Sequence, residues 1–355
     1  MDWTGPTLST IVVTHDSRAA VERTIPAVAA QLRPGDELIV VDNDSADGTP
    51  ATVRELCPEA TVIESGSNAG FPAACNRGAA EASGELLCLL NPDAVPAEGW
   101  REAIERPWIE GRGWAAWQGL VTAGGGRILN SRGGDVHYTG IAWAGGAGEP
   151  VPDGLREEVE AGLRAIEPGF VSGACLAIAS DTYADAGGLP EEFFLYHEDV
   201  DLSLRLRLAG RRVGVEPAAR VDHSYEFDKG PAKWRHLERN RWATVIRTYP
   251  AGLLAILAPA LAATELALVV VALRGGWAPQ KLAAWADTLS ALPRLVRERR
   301  RVQAGREVRT MEFAAAFTPD LASAYLGAVG RSRLLRAVLR GYWSATLAVL
   351  GDRRR

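Results

Sequence analysis

The sequence predicts an α/β protein, a parallel sheet flanked by helices with a helical region after it. Three observations carry this reading. Short apolar runs rich in β-formers alternate with helical stretches from Leu8 to Leu90, the rhythm that builds parallel strands joined by crossover helices. Polar clusters follow four of those strands in succession, where an open parallel sheet gathers its ligands. Beyond Lys229 the alternation stops, and long helical stretches include the almost wholly apolar run Ala251 to Leu273.

The first strand is expected over Leu8 to Thr14, then a helix over Ala19 to Gln31 and a second strand over Glu37 to Asp42. A helical stretch, Thr49 to Leu56, leads to the strand Ala60 to Ser65, and another, Pro72 to Ala82, leads to Glu85 to Leu90. The segment from Trp100 to Glu167 is rich in Gly and Trp, is broken by Gly124-Gly125-Gly126, Gly133-Gly134 and Gly145-Gly146, and reads as loops and hairpins. Order resumes in Phe170 to Ala179, a strand containing Ser172-Gly173-Ala174. In Glu191 to Leu208, carboxylates then give way to a periodic helix over Leu202 to Leu208. Arg212 to Glu216 and the segment Ala219 to Ser224 close a first domain over 1–228, and a helical region over 229–355 follows.

Composition excludes several classes. With 355 residues, 47% hydrophobic and 23% charged, the chain has the usage of a packed globular protein and not of a disordered or fibrous one. Its formal net charge of -5 argues against a surface adapted to nucleic acid, which needs clustered surplus Lys and Arg. Cys57, Cys75, Cys88 and Cys175 form no CxxC pair and no zinc-finger spacing, so a reduced, cytoplasmic chain is expected. The N-terminus carries Asp2 and no basic segment before its first apolar run, which argues against a secretory leader.

The run Ala251 to Leu273 reaches the roughly 20 residues a membrane span needs, but Pro259 and Glu265 interrupt it. Arginines follow at Arg294, Arg297, Arg299, Arg300 and Arg301, and again at Arg331, Arg333, Arg336, Arg340 and Arg353 to Arg355. Apolar helix and arginines together point to the anionic inner face of the cell membrane, where the run spans or lies in the interface. A homodimer interface, or a solvated basic face on a soluble helical domain, is the other use of the same helices.

No GxGxxG follows the first strand and no GxxxxGK[ST] occurs, so neither a Rossmann fingerprint nor a P-loop is available. A bound nucleotide would need a metal or cationic side chains for its phosphates. Asp42 ends the run Leu38 to Val41 and can accept from a base imide or a ribose hydroxyl, or simply cap a turn. Asp93, in Asn91-Pro92-Asp93 after Leu90, is placed to hold a divalent cation against a diphosphate, or to make a plain turn. The segment Phe193 to Leu202 crowds His197, Glu198, Asp199 and Asp201 behind aromatic residues, more carboxylates than helix capping requires, and offers a general base. His223 ends the last strand of this domain, as a structural residue or a ligand.

These motifs together resemble the inverting family 2 glycosyltransferases of the GT-A fold, in particular their bacterial rhamnosyltransferase-like members. The resemblance covers about the first two thirds of the chain. It rests on Ile11 to Thr14, Val41 to Thr49, Asn68-Ala69-Gly70-Phe71 with Asn76, Leu90 to Asp93, Ser172-Gly173-Ala174 and His197 to Leu202. Glu238-Arg239-Asn240-Arg241 and Tyr249-Pro250 resemble the segment that follows the catalytic domain in that subgroup.

The resemblance implies a mixed, mainly parallel sheet and a nucleotide-diphospho-sugar donor, dTDP- or UDP-linked, with rhamnose as the favoured sugar. It implies a hydroxyl of a lipid-linked or cell-envelope glycan as acceptor. Thr14, Asp16, Asp42 and Asn43 would surround the nucleoside, with Asn68, Gly70, Asn76, Asn91 and Gly173 along the same cleft. Asp93 corresponds to the last carboxylate of the family's DxD motif and His223 to a further ligand, together holding Mg or Mn. The chain departs from that motif at Asn91, which weakens the metal site. Asp199 is implied as catalytic base with Glu198 beside it. Two other readings stay open at this point: a nucleotide-sugar-binding module without catalysis, and a nucleotidyltransferase.

Overall fold

A computed structural model of the chain describes residues 5–155, 167–223, 230–321 and 332–352. Asp2, Ser224, the expected boundary between 228 and 229, Arg331 and Arg353 to Arg355 lie outside the described residues. The chain forms two compact units. The first comprises Met1–Gly134, Ala144–Leu195 and Arg212–Tyr225; the second comprises Asp135–Trp143, Tyr196–Arg211 and Glu226–Arg355.

The first unit is built on a nine-stranded mixed sheet. Strands β1 (Leu8–Thr14), β2 (Glu37–Asp42), β3 (Thr61–Glu64) and β4 (Leu86–Leu90) run parallel in the order β3-β2-β1-β4, with Thr14 opposite Asp42 and Val12 opposite Leu90. The sheet continues through β10 (Cys175–Ala179), β6 (Trp114–Ala123), β11 (Arg212–His223) and β5 (Ala94–Pro96), while β7 (Ile128–Ser131) pairs with β6. The strand β10 is antiparallel to both neighbours, and β6 and β11 are parallel.

Both faces of β1, β2 and β4 are buried, which is why these strands are largely apolar runs and do not alternate, whereas the edge strand β3 is partly exposed. Val12, Val40 and Leu90 pack with Val21 and Ile25 of α1 (Arg18–Ala29), Val53 of α2 (Thr49–Leu56) and Ile104 of α4 (Trp100–Ile109). On the opposite face α3 (Phe71–Glu81) lies so close that a Cβ at Gly78 would stand 2.6 Å from Ile11 Cγ2. Each fully buried Val or Leu in these layers contributes about 1.5–3 kcal/mol relative to exposure.

The structure corrects the reading of the middle segment. Between Trp100 and Glu167 it contains α4 and the ten-residue strand β6, which sits inside the sheet between β10 and β11. The strand is buried along most of its length, so it shows no polar alternation, and its flanking glycines look like loop. Ladder pairing of β10 begins at Cys175, and 170–174 precedes it as an irregular segment that ends in a turn, where Cys175 N donates to the Ser172 carbonyl and the Ala174 carbonyl accepts Asn91 N at 3.1 Å. Arg212 to His223 is one strand with an irregularity between Glu216 and Arg220, not two pieces.

The second unit is helical: α6 (Glu198–Leu208), α7 (Ala232–Thr248), α8 (Ala251–Arg274), α9 (Ala278–Ala304), α10 (Thr310–Ala314) and α11 (Arg333–Asp352). A short α5 (Ser180–Asp185) belongs to the first unit, and β8 (Gly134–Val136) and β9 (Ala142–Ala144) form a two-stranded ribbon. Within the second unit Tyr138 stacks on Trp343 with ring centroids 5.0 Å apart and planes 7° from parallel. Arg299 Nη1 donates to the Tyr249 carbonyl at 2.7 Å, and Gln303 Nε2 donates to the Thr248 carbonyl at 2.9 Å, tying α9 to the end of α7. The helix α8 is the one described helix long and apolar enough to cross a membrane.

Candidate active site

Because β1, β2 and β4 are parallel, Thr14, Asp42 and Asn91 fall at one edge of the sheet, the carboxyl edge where open α/β sheets bind ligands. The loops there are locked together. Asp42 is buried, and its carboxylate accepts Thr14 Oγ1 at 2.7 Å, Ser45 N at 2.8 Å and Ser45 Oγ at 2.5 Å. Asp16, with a left-handed φ of 46°, accepts Ala46 N at 2.8 Å, while its own amide donates to Ser45 Oγ at 2.9 Å. Ser45 is thus the knot of this cluster, a role that its place in an ordinary Asp-Ser turn does not signal.

Asn43 extends the cluster toward the third loop. Its Nδ2 donates to the Gly70 carbonyl at 3.2 Å, and its buried Oδ1 accepts no hydrogen bond from the described residues. Asn68 Oδ1 accepts Gly70 N at 3.0 Å, so both asparagines hold Gly70. Gly70 itself has φ 89°, and a Cβ there would stand 2.4 Å from the Phe194 carbonyl oxygen. Only glycine fits, because the Phe71 amide donates to that same oxygen at 2.8 Å.

Asn76 is engaged entirely within the chain. Its Nδ2 donates to the Leu189 carbonyl at 2.9 Å and Glu191 Oε1 at 3.0 Å, and its Oδ1 accepts Tyr183 Oη at 2.6 Å and Leu189 N at 2.9 Å. The side chain therefore staples α3 to the turn at 188–191. Gly173 lies in the turn before β10, where a Cβ would meet the Phe71 ring at 3.3 Å.

At the other end of the same edge, β11 pairs with β5 so that His223 stands opposite Ala94. His223 Nε2 lies 3.0 Å from Asp93 Oδ1 and 3.3 Å from Asn91 Nδ2. These contacts demand opposite things of one nitrogen, since a carboxylate only accepts and an amide NH2 only donates. Turning the Asn91 amide over presents its oxygen instead, and a carboxylate oxygen and an amide oxygen then both stand beside the imidazole nitrogen. That donor set suits a divalent cation. Among the described residues no group of three or more His, Cys, Asp and Glu gathers, so the pair Asp93 and His223 with Asn91 is the arrangement available.

Asp222, beside His223, accepts Gly125 N and Gly126 N, each at 3.1 Å, and so fastens the glycine turn between β6 and β7.

The acidic segment belongs to the second unit. The helix α6 begins at Glu198 and not at Leu202, so Glu198, Asp199 and Asp201 occupy its first turn, where the helix dipole favours negative charge. Tyr196 and His197 precede it with φ of 70° and 69°, a backbone region that side chains disfavour and that surrounding contacts must hold. Asn240 of α7 supplies one such contact, donating from Nδ2 to the Tyr196 carbonyl at 2.7 Å. Burial pushes the His197 pKa down to about 4, helped by the Arg241 cation and opposed by Glu238 and Asp201.

Glu198 and Asp199 differ sharply in environment. Glu198 is buried with no partner for Oε2 among the described residues, and burial together with the charge of Asp199 pushes its pKa well above the ordinary carboxylate value. Asp199 is partly exposed, and its Oδ1 accepts the Val200 amide at 2.8 Å. A buried carboxyl whose pKa is raised beside a partly exposed carboxylate can divide acid and base roles with it.

Residues 9–139 match the family described as Glycosyl transferase family 2. Over 259 residues the chain is 27% identical to the N-acetylglucosaminyl-diphospho-decaprenol L-rhamnosyltransferase of Mycobacterium tuberculosis, covering 67% of this chain and 83% of that protein. Its fold is similar to that of GalNAc-T7 with UDP, GalNAc and Mn2+, at TM-score 0.56 and 16% identity, over 72% of this chain and about half (51%) of that one. It is also similar to the mannosyltransferase PcManGT from Pyrobaculum calidifontis in complex with GDP-Man and Mn2+, at TM-score 0.50 and 19% identity, over 97% of this chain and 86% of that one. The mixed sheet, the matched segment and these likenesses agree on a glycosyltransferase of the GT-A fold: residues 9–139 match family 2, and the enzyme transfers sugar from a nucleotide-sugar donor.

Proposed function

We propose that the enzyme moves rhamnose from a dTDP- or UDP-linked donor to a hydroxyl of a lipid-linked saccharide at the inner face of the cell membrane. The sugar and acceptor follow the mycobacterial relative, whose name specifies rhamnose transfer onto N-acetylglucosaminyl-diphospho-decaprenol. The observation that supports a donor cleft most strongly is the pairing of Asp93 with His223 at the sheet edge that also carries Asp42.

In this reading Asp42, set by Thr14 and Ser45, and Asn43, through its unbonded Oδ1, receive the nucleoside. Asp16, Asn68, Gly70 and Asn76 shape that pocket by holding its loops, and Gly173 lets the turn before β10 pass close to Phe71. Asp93, His223 and Asn91 would hold Mg or Mn, which when bound offsets charge on the leaving diphosphate. Asp199 takes the proton from the acceptor hydroxyl as its oxygen bonds to the anomeric carbon. The bond from that carbon to the diphosphate oxygen breaks on the opposite side, and configuration inverts. Glu198, protonated and buried, orients Asp199.

Incubating the full chain with dTDP-rhamnose or UDP-sugars and an N-acetylglucosaminyl-diphospho-polyprenol tests this reading. An acceptor heavier by one deoxyhexose, formed with inversion, is expected. Donor binding with neither transfer nor hydrolysis across an acceptor panel would leave the binding-module reading instead.

A further inference from the structure

The middle of α8 is anchored by charge. Glu265 accepts Trp285 Nε1 at 2.7 Å, pairs with Lys281 Nζ at 2.8 Å and also pairs with Arg241. Arg241 and Lys281 are in turn paired with Glu238 of α7, the first at 3.0 Å, and Arg241 Nη1 donates to the Thr139 carbonyl at 3.1 Å. Two anions and two cations thus balance each other across α7, α8 and α9, with Arg241 and Lys281 almost fully buried. Burial pushes the Glu238 carboxyl up, but Arg241 and Lys281 more than reverse it, and the carboxylate stays charged.

A helix crossing a bilayer would have to carry Glu265 into hydrocarbon and strand the other three charges. Yet α8 leaves a large apolar surface uncovered. Leu266 is 72% exposed and Leu273 66%, with Val270 between them. On α9, Leu282 is 60% exposed, Leu289 is 69% exposed and Val296 is exposed as well, a spacing of seven that keeps one helix face. Exposed Arg297, Arg300 and Arg301 follow at the end of that stripe, where Glu298 is the single acidic residue in 294–304.

We propose that α8 and α9 lie in the plane of an anionic membrane leaflet, without crossing it. The apolar stripe sits in the acyl boundary and the α9 arginines sit on lipid phosphates. The same unit carries α6, whose first turn bears Glu198 and Asp199, so the surface that meets lipid and the proposed base share one body. This deepens the reading of a lipid-linked acceptor, and its test reads vesicle binding, which does not depend on sugar transfer.

Flotation of the purified full chain with phosphatidylcholine vesicles, and with vesicles mixed with phosphatidylglycerol, tests the arrangement. The protein is expected to float with the anionic vesicles and to be released by alkaline carbonate. The double substitution Leu282→Glu/Leu289→Glu, and separately Arg297→Glu/Arg300→Glu/Arg301→Glu, should each lower the bound fraction roughly tenfold or more. Unchanged nucleotide-induced thermal shifts in both variants would show that the fold and donor cleft persist. Retention in the membrane after carbonate would overturn the proposal in favour of a span. Failure to float, with a discrete dimer in detergent-free sedimentation, would overturn it in favour of a second copy covering the stripe.

Discussion

His223 Nε2 stands 3.0 Å from Asp93 Oδ1, although the two residues come from distant segments of the chain. The register of β11 on β5 creates this neighbourhood, and Asn91, held by its amide to the Ala174 carbonyl, completes it. The departure from a two-carboxylate motif at Asn91 lowers the negative charge at the proposed cation site. It leaves an oxygen donor there once the amide is turned over.

The assignment of Asp199 as base is separable from fold and donor binding. Asp199→Asn should keep its thermal midpoint and its donor affinity while turnover falls at least about a hundredfold. Near-normal turnover would move the base elsewhere. Glu198→Gln should behave differently, because Gln imitates the protonated acid that burial enforces. The raised folded pKa means that wild-type stability falls as pH rises past the unfolded value near 4.5. Urea unfolding at pH 7 should therefore find Glu198→Gln more stable than wild type, and a less stable variant would show that Glu198 is ionised.

In the proposed mechanism Asn240 acts on the chemistry through the backbone ahead of α6. Asn240→Ala leaves the Tyr196 carbonyl without its 2.7 Å donor, at a cost of about 1–3 kcal/mol. As a positioning residue it should lower kcat more than it raises KM for the donor. Steady-state kinetics beside a thermal melt would separate this from simple destabilisation, which would leave kcat of the folded fraction unchanged.

Acid sensitivity should follow His197. Its pKa is about 4 in the fold against 6.5 when unfolded, so the unfolded chain takes up the proton first as pH falls. Its contribution is complete above pH 6.5 and is lost progressively down to pH 4, on the order of 3 kcal/mol in all. His197→Asn keeps a residue that tolerates the left-handed backbone. Between pH 7.5 and 5 this variant should lose about 2 kcal/mol less stability than wild type, read from urea midpoints. Equal losses would mean that His197 is already protonated in the fold.

The parallel half of the sheet was legible because its signals are local: apolar runs, turn residues and helical periods follow one another from Leu8 to Leu90. The strand β6 was not, because a strand buried on both sides and bracketed by Gly113 and Gly124 carries neither alternation nor turn contrast with its surroundings. The start of α6 was misplaced for a related reason, since carboxylates that look like a loop are also what the first turn of a helix prefers. Candidate side chains could be named singly, but their grouping is tertiary. The meeting of Asp93 with His223 requires the β11–β5 pairing, and the bond from Asn240 to Tyr196 requires α7 to pack on α6. Ser45 was passed over because one hydroxyl in a polar turn gives no sign that it serves both Asp42 and Asp16.

Thermal unfolding of the full chain with UDP, dTDP, GDP or CDP, each with and without Mn, tests the donor cleft most directly, because a ligand bound only by the native state raises the midpoint. One nucleotide should raise it, Mn should enlarge the shift, and Asp93→Asn should abolish the enlargement while keeping the metal-free part. No shift with any nucleotide, with or without Mn, would contradict a nucleotide site at this sheet edge.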